Sequence, residues 1–179
     1  RSVADSAGNV AVKIQRKFEF SAAPLLSFLD EINQKSQNYH AETLLRNLGA
    51  EMGGEGSMEG GRKMVKQFLS EMKIDTADFD IYDGSGLSFR NRLKPSSETR
   101  LLQVMARHPK ASYYMASLAS QGVGSGSKRM KDLKYPWLTR FKTGYIGEVH
   151  GLAGYIHTLD GDTLAAAMYL NETGKNPDA

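Results

Sequence analysis

Apolar and polar residues alternate in VAVKIQRKFEF (10–20), where Val10, Val12, Ile14, Phe18 and Phe20 fall at period two and predict a half-buried strand. The period then changes. In SAAPLLSFLDEINQK (21–35), Leu25, Phe28, Leu29 and Ile32 share one helical face, and Pro24 stands near the first turn. A second helix is predicted in YHAETLLRNLGA (39–50), with Ala41, Leu44, Leu45 and Leu48 on one side, which leaves KSQN (35–38) as the junction. GAEMGGEGSMEGG (49–61) is too rich in glycine to predict regular structure, and a third helix follows over about 62–73 with Met64, Val65, Phe68, Leu69 and Met72 apolar. DGSG (83–86) is turn chemistry, and PSSETRLLQVMARHP (95–109) reads as a helix bracketed by prolines. From PWLTRFKTG (136–144) onward the chain predicts strands, and GYIHTLDGDTLAAAMYLN (154–171) is two extended runs joined by Asp160-Gly161-Asp162. A strand, then helices, then a C-terminal antiparallel set implies an α/β (α+β) fold, with helices packed on an antiparallel sheet.

Composition narrows the function classes. At 179 residues one domain is expected, and no apolar run approaches the roughly 18 residues that span a bilayer. Basic residues exceed acidic ones by only 23 to 20, with SKRMKDLK (127–134) the one local cluster, so the charge stripe of a nucleic-acid binder is missing. A weak polyanion binder ranks far behind other readings. The chain has no cysteine, which excludes disulfides and thiolate metal sites and leaves the compartment open. His40, His108, His150 and His157 have no metal-ligand spacing, and no metal or other cofactor is expected. The eight methionines are expected to pack in the core, and Glu42 and Glu148 to be surface charges. The beginning, RSVADSAGNVAV, has neither an initiator Met nor a leader pattern and suggests a mature product or an excised piece.

The chemistry concentrates in two tripeptides, Ser36-Gln37-Asn38 at the helix junction and Lys142-Thr143-Gly144 on a strand. The stretch RFKTGYIGEVHGLAGYI (140–156) sets a cation, a hydroxyl and a bare piece of backbone side by side. Serine acylases use S-x-x-K, S-D-N and K-T-G in that chain order. KSQNYHAETLLRNLG, DGSGLSFRNRL and FKTGYIGEVHGLAGYIHTLDGD together resemble the C-terminal half of the D-alanyl-D-alanine carboxypeptidase/endopeptidase family, the low-molecular-mass class C penicillin-binding proteins. The likeness runs from about residue 20 to the final hairpin.

The resemblance implies a serine β-lactamase/DD-peptidase-like transpeptidase fold, with residues 1–179 forming the C-terminal portion of the transpeptidase domain and the S-x-x-K segment lying on a missing N-terminal half. It implies a serine-type peptidase that opens D-Ala-D-Ala peptides of peptidoglycan through an acyl-enzyme, binds β-lactams, and works in the periplasm or otherwise outside the cytoplasmic membrane. Such acyl transfer needs an activated serine, a proton path to the leaving amine, oxyanion donors and a cation for the terminal carboxylate. By resemblance, Ser36 relays the proton and Asn38 bonds the substrate backbone and the catalytic lysine. Lys142 supplies charge beside Ser36, Thr143 donates to the carboxylate, and the Tyr145 N–H is half of the oxyanion hole. Gly144 admits the substrate, which adds as an extra strand.

Departures from the family pattern are Gln37 where Asp is common, Tyr145 where Thr is usual, and Phe89 in place of Arg. Two S-x-x-K strings in this chain, Ser70 to Lys73 and Ser125 to Lys128, are rejected as nucleophiles. Ser70 ends an amphipathic helix downstream of S-x-N, and Ser125 sits in a Gly-Ser loop without the rigidity a nucleophile requires. Asp83 and Ser85 are expected to buttress the site rather than touch substrate. The chain alone is expected to be inactive, and to dimerise, swap strands or aggregate without the other half. The alternative is a non-catalytic protein on the same scaffold that binds cell-wall peptides or a partner.

Overall fold

The computed structural model describes residues 3–4, 10–11, 24–127, 134–135 and 138–171. Of the strand expected over 10–20, only Val10–Ala11 (β2) is described, paired antiparallel with Val3–Ala4 (β1); the rest lies outside the described residues, as does most of the basic cluster at 127–134. The helices are α1 (Leu25–Asn33), α2 (Asn38–Gly53), α3 (Met58–Glu71), α4 (Pro95–Ala106) and α5 (Ala111–Ser117). Two short strands, β3 (Phe79–Asp80) and β4 (Arg92–Leu93), pair antiparallel. The chain then forms an antiparallel meander, β5 (Thr139–Ile146), β6 (Val149–His157) and β7 (Thr163–Leu170), in the order β5-β6-β7. The mixed fold with its antiparallel sheet is the one expected.

The glycine-rich stretch departs from expectation. Instead of an irregular 49–61, α2 continues to Gly53, only residues 54–57 link the helices, and α3 starts at Met58. Ser57 caps α3 by accepting the Gly60 N–H at 2.9 Å, and Gly54 closes α2 in the left-handed conformation at φ 71°. Gly49 and Gly61 serve packing. A Cβ on Gly49 would stand 2.5 Å from the Glu55 carbonyl and 2.6 Å from the Gly61 nitrogen, and one on Gly61 would overlap the Leu45 carbonyl. The glycines thin both helices where they cross. The helix predicted over 95–109 also stops early, at Ala106, and the seven-residue α5 was not foreseen; Pro109 disfavours helical backbone at His108 and separates the two.

Helix α4 lies between two apolar clusters. Leu69, Ile74 and Phe79 form one, against which Leu101 and Val104 pack; Leu102, Leu118 and Tyr155 form the other, with Tyr114, Met115, Ala153 and Ala165 around it. Small residues on the inner face of the sheet let α4 approach. The Tyr155 hydroxyl donates to the Leu102 carbonyl at 2.8 Å, and the Tyr169 hydroxyl is bonded to Glu98. Burial pushes the Glu98 carboxyl up, burial and Glu98 push the Tyr169 phenol up, and burial takes Tyr114 up to about 12. The outer face carries Ile156 opposite Leu164, with Met168 and Leu170 further along β7, all exposed. Met168 and Met52 correct the expectation that methionines pack inside, whereas Met72 and Met115 do so.

The helix crossing predicts that Gly61→Ala destabilises the protein by about 1–3 kcal/mol, since the added methyl meets backbone. Gly56→Ala, whose methyl would meet only Ala50 at an ordinary 3.5 Å, leaves stability unchanged or raises it by up to about 1 kcal/mol. Urea unfolding of both variants checks this, and equal costs would refute the close-packing explanation.

Candidate active site

Helix α1 ends in a turn that a glycine would ordinarily make. The Gln37 N–H bonds the Glu31 carbonyl at 3.0 Å, and Ser36 between them holds φ 55°. Left-handed backbone costs a residue with a Cβ about 1 kcal/mol or more, so the surroundings must fix it. They do so through two ties from α1 to α5: Asn33 Nδ2 donates to Ser117 Oγ at 2.7 Å, and Gln34 Nε2 to the Ala116 carbonyl at 3.2 Å. Asn38 begins α2 directly after Gln37 and is exposed, so the unpaired N–H groups of a sixteen-residue helix start beside Ser36 and favour negative charge there.

Strand β5 supplies the opposite wall. Lys142 Nζ donates to Ser36 Oγ at 2.6 Å, across 106 residues of sequence, and to the Thr143 carbonyl at 2.6 Å. Burial holds the Lys142 ammonium below the ordinary lysine range. Phe141 exchanges backbone bonds of 2.8 and 2.9 Å with Ala119 on the side of β5 away from β6. Ladder bonds alternate in direction, so the N–H and C=O groups of Thr143 and Tyr145 project from that same edge, past the single Ala119 bridge. Gly144 between them is exposed, and among the described residues no heavy atom beyond its chain neighbours comes within 4 Å of the place a Cβ would take. Tyr145 is 65% exposed, and its ring centroid lies 4.8 Å from that of His150, its cross-strand partner.

Two features were missed in the sequence. Ser125, set aside as a loop serine, accepts a bond from Thr143 Oγ1 at 3.1 Å, and its own N–H donates to the Gln34 carbonyl at 2.8 Å. Its loop bridges the two walls, and the GVGSG spacing was the available signal: Gly124 holds φ 59°, and a Cβ there would stand 2.6 Å from the Gln34 carbonyl. Glu42, expected to be a surface charge, instead accepts the Ser85 N–H at 3.1 Å and the Ser85 hydroxyl at 2.7 Å, fastening the 83–86 turn to α2. Asp83 binds the Gly86 N–H, the Ser88 N–H and Asn91 Nδ2 at 2.8, 2.6 and 2.8 Å, and so shapes the loop from within. Phe89 then rests on the β5–β6 turn, 3.2 Å from where a Cβ of Gly147 would be. Ser70 is exposed on the last turn of α3. Among the described residues no three His, Asp or Glu side chains group as a metal site, and no helix is long and apolar enough to cross a membrane.

The arrangement offers a partly desolvated cation, a hydroxyl held against it, and an open strand edge with free donors. It suits an extended peptide that brings a negative charge to Lys142.

A buried ammonium should cost stability. Its folded pKa lies below 10.5, so the unfolded chain binds more protons between those values, and stability rises with pH across that window. Lys142→Met should therefore melt above the unsubstituted chain at pH 7, with the difference shrinking as pH approaches 10.5. Thermal melts at both pH values decide; a Met variant that melts lower at pH 7 contradicts the desolvation argument.

A family model described as D-Ala-D-Ala carboxypeptidase 3 (S13) matches residues 13–179. The D-alanyl-D-alanine carboxypeptidase of Actinomadura sp. (strain R39) is 29% identical over 165 residues, covering 89% of this chain and 31% of the relative. Carboxypeptidase DacB of Mycolicibacterium smegmatis is 30% identical over 164 residues, covering 87% and 35%. Among solved structures, penicillin binding protein 4 (dacB) from Haemophilus influenzae superposes with a TM-score of 0.78 at 25% identity, covering 87% of this chain and 36% of that one, and it has also been solved complexed with a β-lactam. The chain thus spans about a third of the length of the curated relatives it matches.

Proposed function

The chain belongs to the D-Ala-D-Ala carboxypeptidase 3 (S13) family, and from that premise we propose that the protein carrying it is a serine DD-peptidase, a D-Ala-D-Ala carboxypeptidase or DD-endopeptidase that cleaves peptidoglycan peptides through an acyl-enzyme and is acylated by β-lactams. The observation that carries the proposal is the 2.6 Å contact of Lys142 Nζ with Ser36 Oγ. Two motifs far apart in the chain meet in the way that proton relay to a leaving amine requires.

In this reading a serine of an S-x-x-K segment outside residues 1–179 attacks the penultimate D-Ala carbonyl, the C–N bond breaks, and Ser36 passes a proton to the departing nitrogen. Lys142 stabilises the alkoxide character of Ser36 and draws in the terminal carboxylate. Asn38, at the start of α2, bonds the substrate backbone and the lysine of that S-x-x-K segment. Thr143 donates to the carboxylate, the outward N–H of Tyr145 completes the oxyanion hole, and the open space at Gly144 accommodates the peptide as a strand along β5. The exposed Tyr145 ring against His150 and the Phe89 ring near the β5–β6 turn would border that strand. The substrate places the enzyme outside the cytoplasmic membrane.

The test is reaction of the whole protein with a penicillin, followed by intact mass. A stoichiometric gain equal to the drug is expected, with the second-order rate reduced at least about 100-fold by Lys142→Ala. The 179-residue chain alone should gain no mass, because neither Ser70 nor Ser125 is placed as a nucleophile. A whole protein that binds wall peptides but is never acylated would establish the non-catalytic reading instead.

A further inference from the structure

The hydroxyl of Ser125 lies outside both motifs, yet the loop that carries it is fixed more firmly than its composition suggests. Its N–H is bonded to the Gln34 carbonyl, two residues before Ser36, at 2.8 Å. On one side Gly124 is pressed against Gln34. On the other, buried Gly126 leaves no room for a Cβ against the Ser120 carbonyl and the Phe141 ring. With the backbone held at three consecutive residues, the half-buried Ser125 hydroxyl is delivered to one place, 3.1 Å from Thr143 Oγ1.

We propose that Ser125 is a positioning residue for Thr143, holding its hydroxyl in the rotamer that serves an incoming carboxylate. The inference rests on the peptidase reading above and deepens it. A threonine hydroxyl has one proton to donate and can accept two. In the free protein Thr143 donates that proton to Ser125. When an anion arrives, both hydroxyls rotate: Ser125 donates to Thr143 Oγ1, and the Thr143 proton turns to the carboxylate. No bond to hydrogen breaks. The second hydroxyl polarises the first, and hydrogen bonds to charged acceptors are the stronger kind. Without Ser125 the Thr143 side chain would distribute among its staggered rotamers, and only part of the population would present the donor.

Acylation rates of the whole protein by benzylpenicillin and by its methyl ester, which lacks the carboxylate charge, test the idea. Ser125→Ala should lower the preference for acid over ester about tenfold, because the charge-assisted hydrogen bond that Thr143 donates is then made by only part of the population. In a Thr143→Val background the same change should have no further effect on that preference, because the two residues act as a unit. The melting temperature, measured alongside, should stay within the small range of surface substitutions. An unchanged preference, an equal loss toward acid and ester, or independent effects of the two substitutions would overturn the proposal. If the unsubstituted protein is acylated by neither compound, the peptidase reading fails and this inference with it.

Discussion

The contact between the Lys142 ammonium and the Ser36 hydroxyl sets a tolerance that the rest of the molecule has to meet. Both groups are on the ends of short or flexible side chains, separated by 106 residues, and a hydrogen bond is lost if they drift by even an ångström. Neither wall could supply that accuracy alone. The end of α1 is bonded to α5 by Asn33 and Gln34, β5 is bonded to the segment after α5 through Ala119, and the Ser125 loop joins Gln34 to Thr143. Each wall is therefore tied to the same intermediate stretch, residues 116–126, and that stretch acts as the spacer between them.

That accuracy has an energetic cost, and the cost is local. A non-glycine residue at φ 55° and a lysine whose charge is opposed by burial both reduce stability at the site itself. The compensation lies elsewhere, in the two apolar clusters that clamp α4 and in the Tyr155 and Tyr169 bonds that fasten the sheet to it. Lys73, the other described non-glycine residue at positive φ, closes α3 in a similar way, with the Ile74 N–H returning to the Leu69 carbonyl as the Gln37 N–H returns to the Glu31 carbonyl at the end of α1.

The elements visible in the sequence were those whose pattern is periodic. Helices α1 and α2 and the β6–β7 hairpin were legible because Leu25, Phe28 and Ile32, or Asp160-Gly161-Asp162, carry their own geometry. The helical character of 49–53 and 58–61 was not, since the favourable term there is a close crossing of α2 and α3 that only the partner helix reveals. Glu42 and Glu98 look alike in a sequence. One fastens a turn through Ser85, and the other is buried against Tyr169, which is decided by what packs over them. The motifs Ser36-Gln37-Asn38 and Lys142-Thr143-Gly144 were legible as a pair through likeness to known families, while Ser125 escaped because a serine among glycines carries no periodic signal.

Two glycines facing each other across the sheet separate internal from external constraint. Gly144 and Gly151 are register partners on β5 and β6. At Gly151 the reason for glycine lies within the chain, since a Cβ would meet the Tyr169 ring at 2.9 Å. At Gly144 the described residues offer no such reason: φ is not left-handed, and among them the space a methyl would fill is open. Glycine weakens a strand by roughly 0.5–1 kcal/mol relative to alanine, so its presence calls for a compensating gain. The described residues supply none from packing or backbone geometry, and in the peptidase reading proposed above the gain comes from a peptide that lies along β5 beside the edge groups of Thr143 and Tyr145.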